Sequence, residues 1–451
     1  MKFKSFDEML STNATLHAND VALAYDVDGK IARMTYAELY AAAQKRKAEI
    51  EVLDAKCIGI LQAPSAKWII DMFACVLARK QTVLLDPMSE PKTIQAQTLA
   101  TDVEAVLCDD LTAPYAGALK TATDTDVTLS DGEGKILFFT SGTTHSSKAV
   151  VLTSKSLCAS AWNGQEKCPC TQSDNLLCML PLTHVFGFVC AMLWPMSQGA
   201  QISLSRGMRY IAQDCKYFNP TIISVVPSIL KFLVRFDALN DGLRMILVGA
   251  GPASEQLLEA AKEKHIEVRF GYGLTETSSG VAISCGENPF AMSVCPDDEI
   301  KLADDGEILI KSDECFMQGY YKNPQATSEV VSNGYFRTGD LGKFDKEGNL
   351  YITGRKKDII VLENGNKIYL PEWENDVMLE LGIDDVALAL KDDIVTLFVG
   401  NKDGFLNVSA LKEKLTAFNK SKPFNLQISQ LIVMPGALPR TSTGKVKRYE
   451  L

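Results

Sequence analysis

Residues 140–148 read Thr-Ser-Gly-Thr-Thr-His-Ser-Ser-Lys, directly after the apolar run 136–139. Backbone N–H groups of such a loop can wrap phosphate oxygens, and Lys148 adds a point charge. The Walker A pattern is absent, and by itself the loop is equally a Ser/Thr-rich surface turn. A second group, Gly271-Tyr272-Gly273-Leu274-Thr275-Glu276-Thr277, follows a strand-like run at 267–270. An aromatic between close-approach glycines suits a planar base, and a glutamate near phosphates suits magnesium. Alone, this segment reads as a strand-end turn. A third group joins Tyr335-Phe336-Arg337-Thr338-Gly339-Asp340 to Tyr351-Ile352-Thr353-Gly354-Arg355-Lys356-Lys357-Asp358. Asp340 offers acceptors for vicinal hydroxyls and Arg355 a fork for phosphate or sugar oxygens, although a hairpin with a surface ion pair has the same residues. The fourth, 439–448, carries Thr441, Gly444 and Lys445 among further basic residues. In isolation it is a solvated tail.

These groups need a scaffold. From about 100 to 275, short apolar runs at 104–108, 135–140, 176–180, 201–204, 222–226, 245–248 and 267–270 alternate with amphipathic stretches such as 228–236 and 254–264. That alternation predicts an α/β fold of layered, mostly parallel sheets with helices. After about 290, Gly and Asp turns recur at 304–306, 333–334 and 346–349, so a smaller antiparallel β-region is expected over about 290–353. Residues 355–451 hold a further α+β pattern of small-domain size, leaving 1–354 as the large domain.

The chain has 451 residues, 46% apolar and 23% charged, with a net charge of −10. Disorder, collagen and coiled coil are excluded, and a whole-protein affinity for nucleic acid or anionic membrane is not expected. The 12 cysteines form no C-x-x-C pair and the four histidines have no ligand-spaced neighbours, so free buried thiols in a reducing cytoplasm are expected. The first residues, MKFKSFDEML, show no signal peptide. Between Asp174 and Arg206 no charge occurs, but Pro181, His184, Gly187, Pro195 and Gly199 interrupt the stretch. It reads as strand, turn and buried helix rather than a transmembrane segment.

Taken together, in order and in spacing, the four groups resemble the core motifs of the adenylate-forming superfamily, which includes acyl- and aryl-CoA synthetases, adenylation domains and luciferases. Residues 34–39, 83–87, 181–187 and 319–324 add matches, so the resemblance covers nearly the whole chain. It implies that a carboxylic acid is joined to AMP from ATP and Mg²⁺, with release of pyrophosphate, and is then passed to a thiol, commonly that of coenzyme A. It further implies that Thr140, Ser141, Gly142, Thr143, Thr144 and Lys148 cradle phosphates, and that Tyr272, Gly251, Gly273 and Ile352 surround adenine. Thr275 would meet the α-phosphate, Glu276 would hold Mg²⁺, and Asp340 with Arg355 would bind the ribose. Lys445 would bridge acid and ribose-phosphate in the first half-reaction. The small C-terminal domain would then move about a hinge at Lys357 and bring Gly365 to the pantetheine channel. His184 would lie beside the acid's carboxylate, as an orienting or gating group.

Several positions depart from that pattern. His145, Ser147 and Ala149 stand where the family has Gly, Pro and Gly, and Tyr335 stands where Trp is frequent. Residues 358–365 look most like fatty acyl-CoA ligases. The apolar segment with Val185, Phe186, Phe188, Met192 and Trp194 suits an alkyl chain or an aryl ring as pocket wall. Three readings follow in order: a CoA ligase for fatty or other apolar acids, an enzyme loading an acyl carrier protein, and a non-catalytic nucleotide-binding relative.

Overall fold

The computed structural model describes residues 1–109, 134–140, 148–251, 253–361, 367–391, 394–402, 404–423, 427–440 and 446–451. Short apolar runs pair as expected. A six-stranded sheet runs in the order Gly319–Tyr320, Ala149–Thr153, Lys135–Phe139, Gln81–Leu84, Cys57–Leu61, Ala105–Cys108. Its last four strands are parallel, while Ala149–Thr153 pairs antiparallel with both of its neighbours. Cys57–Leu61 and Gln81–Leu84 are buried at every residue, as parallel strands covered on both faces must be. The helix Ala66–Leu77 turns Trp68, Ile69, Met72 and Phe73 inward, and the Ser65 hydroxyl caps it by accepting the Trp68 N–H.

The second sheet is longer and has two characters. Val21–Val27, Gln201–Leu204, Asn175–Cys178, Ile222–Val225, Met245–Val248 and the start of Glu267–Leu274 are parallel neighbours. Ser279–Ser284, Met292–Val294, Leu350–Arg355, Tyr335–Phe344, Glu307–Ser312 and Asp298–Leu302 continue it as an antiparallel sheet. Glu267–Leu274 belongs to both. Its residues 267–270 pair parallel with Met245–Val248, and 271–274 pair antiparallel with Ser279–Ser284. The antiparallel part therefore starts at Gly271, well before the turn-rich region near 290. Gly-Tyr-Gly carries little strand propensity; its main-chain pairing to 279–283 makes it strand.

One apolar cluster joins the two sheets, with Ile58 and Phe138 from the first and Leu176 and Ile202 from the second. Phe188 sits within it, its ring centroid 5.3 Å from Phe138, 6.1 Å from Phe6 and 6.3 Å from Trp68. The uncharged stretch forms the strand Asn175–Cys178, then Val185–Phe188, a π-turn at Val189–Leu193 and Trp194–Met196. Among the described residues no helix is long and apolar enough to cross a membrane. Every cysteine is a free thiol. Beyond residue 359, Val386–Lys391, Ile394–Gly400 and Gln430–Met434 form a separate sheet. Two apolar clusters there draw only on residues from Ile360 onward.

Where the parallel strands begin, Asp174 is buried and accepts both Nε and Nη2 of Arg244 at 2.7 Å, the Thr221 hydroxyl at 2.7 Å and the Thr171 N–H at 2.8 Å. Burial raises its pKa, but these donors outweigh it and hold the carboxyl at about 2. Because the folded pKa lies below the unfolded value near 3.9, the stabilisation is complete above about pH 4 and is lost as pH falls through 2. Asp174→Asn is therefore expected to cost about 1–3 kcal/mol at neutral pH. Thermal melts of variant and wild type should converge toward pH 2; a constant difference would mean that charge is not what Asp174 contributes.

Candidate active site

The hairpin of Lys135–Phe139 and Ala149–Thr153 closes its loop at the base, where the Thr140 N–H donates to the Lys148 carbonyl at 3.0 Å. Ser141, Gly142, Thr143 and Thr144 lie outside the described residues. Lys148 projects over the Tyr320 ring, with Nζ 4.6 Å from its centroid. Tyr320 is buried, and its hydroxyl donates to Glu276 Oε1 at 2.7 Å. Glu276 is the middle residue of the short turn Thr275–Thr277 that ends the shared strand. Thr277 fixes this turn, donating to the carbonyls of Leu274 and Ser279 and accepting the Leu274 N–H. Ser278 and Ser279 then take φ of 55° and 116°, a strained path that turns the chain sharply into the next strand.

On the adjoining strands the Tyr272 hydroxyl donates to Asp340 Oδ2 at 2.8 Å, and Arg355 Nε donates to Oδ1 at 2.5 Å. Asp340 and Arg355 face each other in register between Tyr335–Phe344 and Leu350–Arg355. Burial raises the Tyr272 pKa well above the ordinary phenol value, and the Asp340 charge adds to it. Burial also raises the Glu276 pKa, against the Tyr320 hydroxyl and the charges of Arg355 and Lys148. Lys148, Tyr320, Glu276, Arg355, Asp340 and Tyr272 thus form one electrostatic group.

The donor set fits a hard divalent ion. Glu276 is a buried carboxylate whose ionised form is disfavoured by its surroundings, so an oxygen-seeking cation beside it compensates the charge. Gly251 leaves room as well: a side chain there would meet only the Pro227 ring, at 3.6 Å. Gly273 also meets a demand of the chain itself. A Cβ at 273 would lie 1.8 Å from the Ser279 carbonyl, so the tight return of the chain itself requires glycine.

The remaining expected residues are more dispersed. Thr275 starts the turn and is half-buried. Ile352 is half-buried against the apolar cluster of the long sheet. His184 caps Val185–Phe188, its carbonyl accepting the Phe188 N–H at 2.9 Å. Lys357 is exposed in the turn Lys356–Asp358, whereas its neighbour Lys356 pairs with Asp305 and Glu307. Gly365 and Lys445 lie outside the described residues. The flanks of 441–445 are tied, with Arg440 bridged to Val446 and the Lys447 N–H donating to the Pro439 carbonyl. Arg448 grips Glu374 with two bonds of 2.7 and 2.8 Å.

One expectation is corrected. Phe188, Met192 and Trp194 are core residues, not pocket walls open to a ligand. The short helix and the π-turn after it place them in the cluster between the sheets, leaving Phe186 and Cys190 half-buried. A small cavity with room for about one water is lined by Trp194, Cys190, Val189, Leu247, Gly280 and Ile283. Two contributors were not assigned a role from sequence. Thr338 accepts the Asp340 N–H at 3.0 Å and so orients that strand end. Tyr320 stood only within a matching Gly-Tyr-Tyr segment; its signal was an aromatic just ahead of Asn323-Pro324, a helix start.

With this geometry in place, comparison with known proteins is decisive. The model of the AMP-binding enzyme family matches residues 10–321. The chain belongs to the AMP-binding enzyme family. A 2-succinylbenzoate–CoA ligase of Listeria innocua is 29% identical over 332 residues, covering 70% of this chain and 69% of the relative. One of Bacillus velezensis is 28% identical over 461 residues and covers 93% of both. The solved o-succinylbenzoate CoA synthetase of Bacillus subtilis in complex with AMP shares the fold, with a TM-score of 0.84, 24% identity, and 98% and 97% of the two chains covered. As a member of the AMP-binding enzyme family the chain is an AMP-forming acid–thiol ligase; the Bacillus subtilis synthetase has also been solved with ATP and magnesium ion.

The nucleotide side of the site yields a direct prediction. Asp340→Asn keeps the shape but removes the charge that Arg355 and Tyr272 share, and AMP binding is expected to weaken about tenfold or more. Calorimetric titration with AMP reads it; unchanged affinity would remove Asp340 from the nucleotide site.

Proposed function

We propose that this ligase activates a compact acid, aromatic in class, and transfers it to coenzyme A. The observation that carries this reading is the similarity, over 93% of the chain, to a ligase named for 2-succinylbenzoate, an aromatic acid. The relatives named for 2-succinylbenzoate favour the same class over the fatty acid that residues 358–365 suggested.

In this reading Thr140–Thr144 and Lys148 hold the β- and γ-phosphates. Tyr272, Gly251 and Ile352 bound the adenine, Gly273 keeping Tyr272 in place. Asp340 and Arg355 take the ribose, Thr275 the α-phosphate and Glu276 the metal ion. His184 orients the acid. The acid's carboxylate is already ionised at neutral pH, so no general base is needed. What the site must overcome is repulsion between two anions. Lys445 supplies positive charge there, and the metal ion, when bound, offsets charge on the departing pyrophosphate. The segment from 355 onward, hinged at Lys357, then withdraws Lys445 and presents Gly365 to the thiol.

Pyrophosphate release across a panel from acetate to palmitate, with benzoates and 2-succinylbenzoate, tests the assignment. Aromatic acids should lead, with CoA thioester as product; palmitate leading would overturn it. Thioester formed only on a carrier protein would move the acceptor from coenzyme A to that protein. Lys445→Ala should slow adenylation by about a hundredfold or more yet spare thioester formation from supplied acyl-adenylate. Equal loss in both half-reactions would sink its assigned role.

A further inference from the structure

Tyr320 is placed where the two sheets meet around the phosphate loop. Its own strand, Gly319–Tyr320, is the edge of the six-stranded sheet, with Tyr320 opposite Val150 and Gly319 opposite Val151. Its hydroxyl crosses to Glu276, which belongs to the turn after the shared strand of the other sheet. A main-chain bond runs alongside, from the Met317 N–H to the Glu276 carbonyl at 2.9 Å. The strand end is held in turn by the Thr327 hydroxyl, which accepts the Tyr320 N–H at 3.0 Å.

The ring has a second partner. Lys148 closes the phosphate loop at its base and lies 4.6 Å from the ring centroid, within cation–π range. One side chain therefore contacts the carboxylate that fits the metal ion and the lysine beside the phosphates. Tyr321, just past the strand, reaches elsewhere: its hydroxyl donates to Asp102 at 2.8 Å. Of the two tyrosines only Tyr320 reaches the site.

We propose that Tyr320 is a positioning residue: its hydroxyl fixes the Glu276 carboxylate in the orientation that receives Mg²⁺·ATP, and its ring sets the distance between that carboxylate and Lys148. This rests on the reading that Glu276 holds the metal ion. A buried carboxylate with one oxygen occupied by a phenol presents its other oxygen in a fixed direction, so a hard cation meets a preset ligand rather than a rotor.

The test is calorimetric binding of ATP with and without Mg²⁺ to the full chain, the readout being the ratio of the two affinities. Tyr320→Phe keeps the ring beneath Lys148 and removes only the hydroxyl. The Mg²⁺-dependent gain should fall about tenfold or more, as for loss of a hydrogen bond to a charged group. Tyr321→Phe serves as the control and should match wild type. If Glu276→Gln abolishes the gain while Tyr320→Phe keeps it, the positioning role is overturned. If Glu276→Gln itself keeps the gain, the metal-ligand reading falls, and the proposal with it.

Discussion

Everything at the site depends on one strand having two kinds of neighbour. Glu267–Leu274 enters as the last member of a parallel sheet and leaves as the first member of an antiparallel one. A parallel neighbour needs a long crossover; an antiparallel one is reached by a tight turn. The change of partner therefore places a short turn, with Glu276 in it, at the end of the strand that carries Tyr272. The steric demand at Gly273 and the strained φ of Ser278 and Ser279 are the local consequences of making that turn so tight. Asp340 and Arg355 reach Tyr272 only because the antiparallel sheet extends from this strand.

Charge compensation is the second organising rule. Each ionisable group in the cluster has a partner drawn from another strand: Asp340 with Arg355 and Tyr272, Glu276 with Tyr320, Lys148 with the Tyr320 ring. Buried charge without such partners would shift to its neutral form. The same device recurs away from the site at Asp174 with Arg244 and at Asp214, whose carboxylate takes the Arg206 guanidinium at 2.6 Å. Asp174 lies just before the strand Asn175–Cys178, and Asp214, in the helix Ile211–Phe218, holds the chain just after the strand Gln201–Leu204.

The parallel half of the fold is legible in the chain because its strands are short apolar runs with little ambiguity: 201–204 and 245–248 appear with the bounds expected of them. The start of the antiparallel part is not, because Gly271-Tyr272-Gly273 becomes strand through its partner rather than through its own propensity. Motif order is enough to bring Tyr272, Glu276, Asp340 and Arg355 to attention, since each belongs to a multi-residue pattern. The apolar segment from Val185 to Trp194 is a different matter. Composition marks it as apolar, but whether Phe188 and Trp194 face a ligand or the core depends on the π-turn at Val189–Leu193, which no periodicity rule anticipates. Tyr320 escaped notice for a related reason, as its importance arises from two contacts distant in sequence.

The pairing of Asp340 with Arg355 has a kinetic side. Both oxygens of Asp340 already accept bonds from within the protein. On the proposed assignment of Asp340 to the ribose, sugar hydroxyls meet a carboxylate already partly satisfied by Arg355 and Tyr272, so the net gain is smaller than the contacts made. When the nucleotide leaves, the guanidinium and the phenol keep that buried carboxylate paired, so release strands no bare charge.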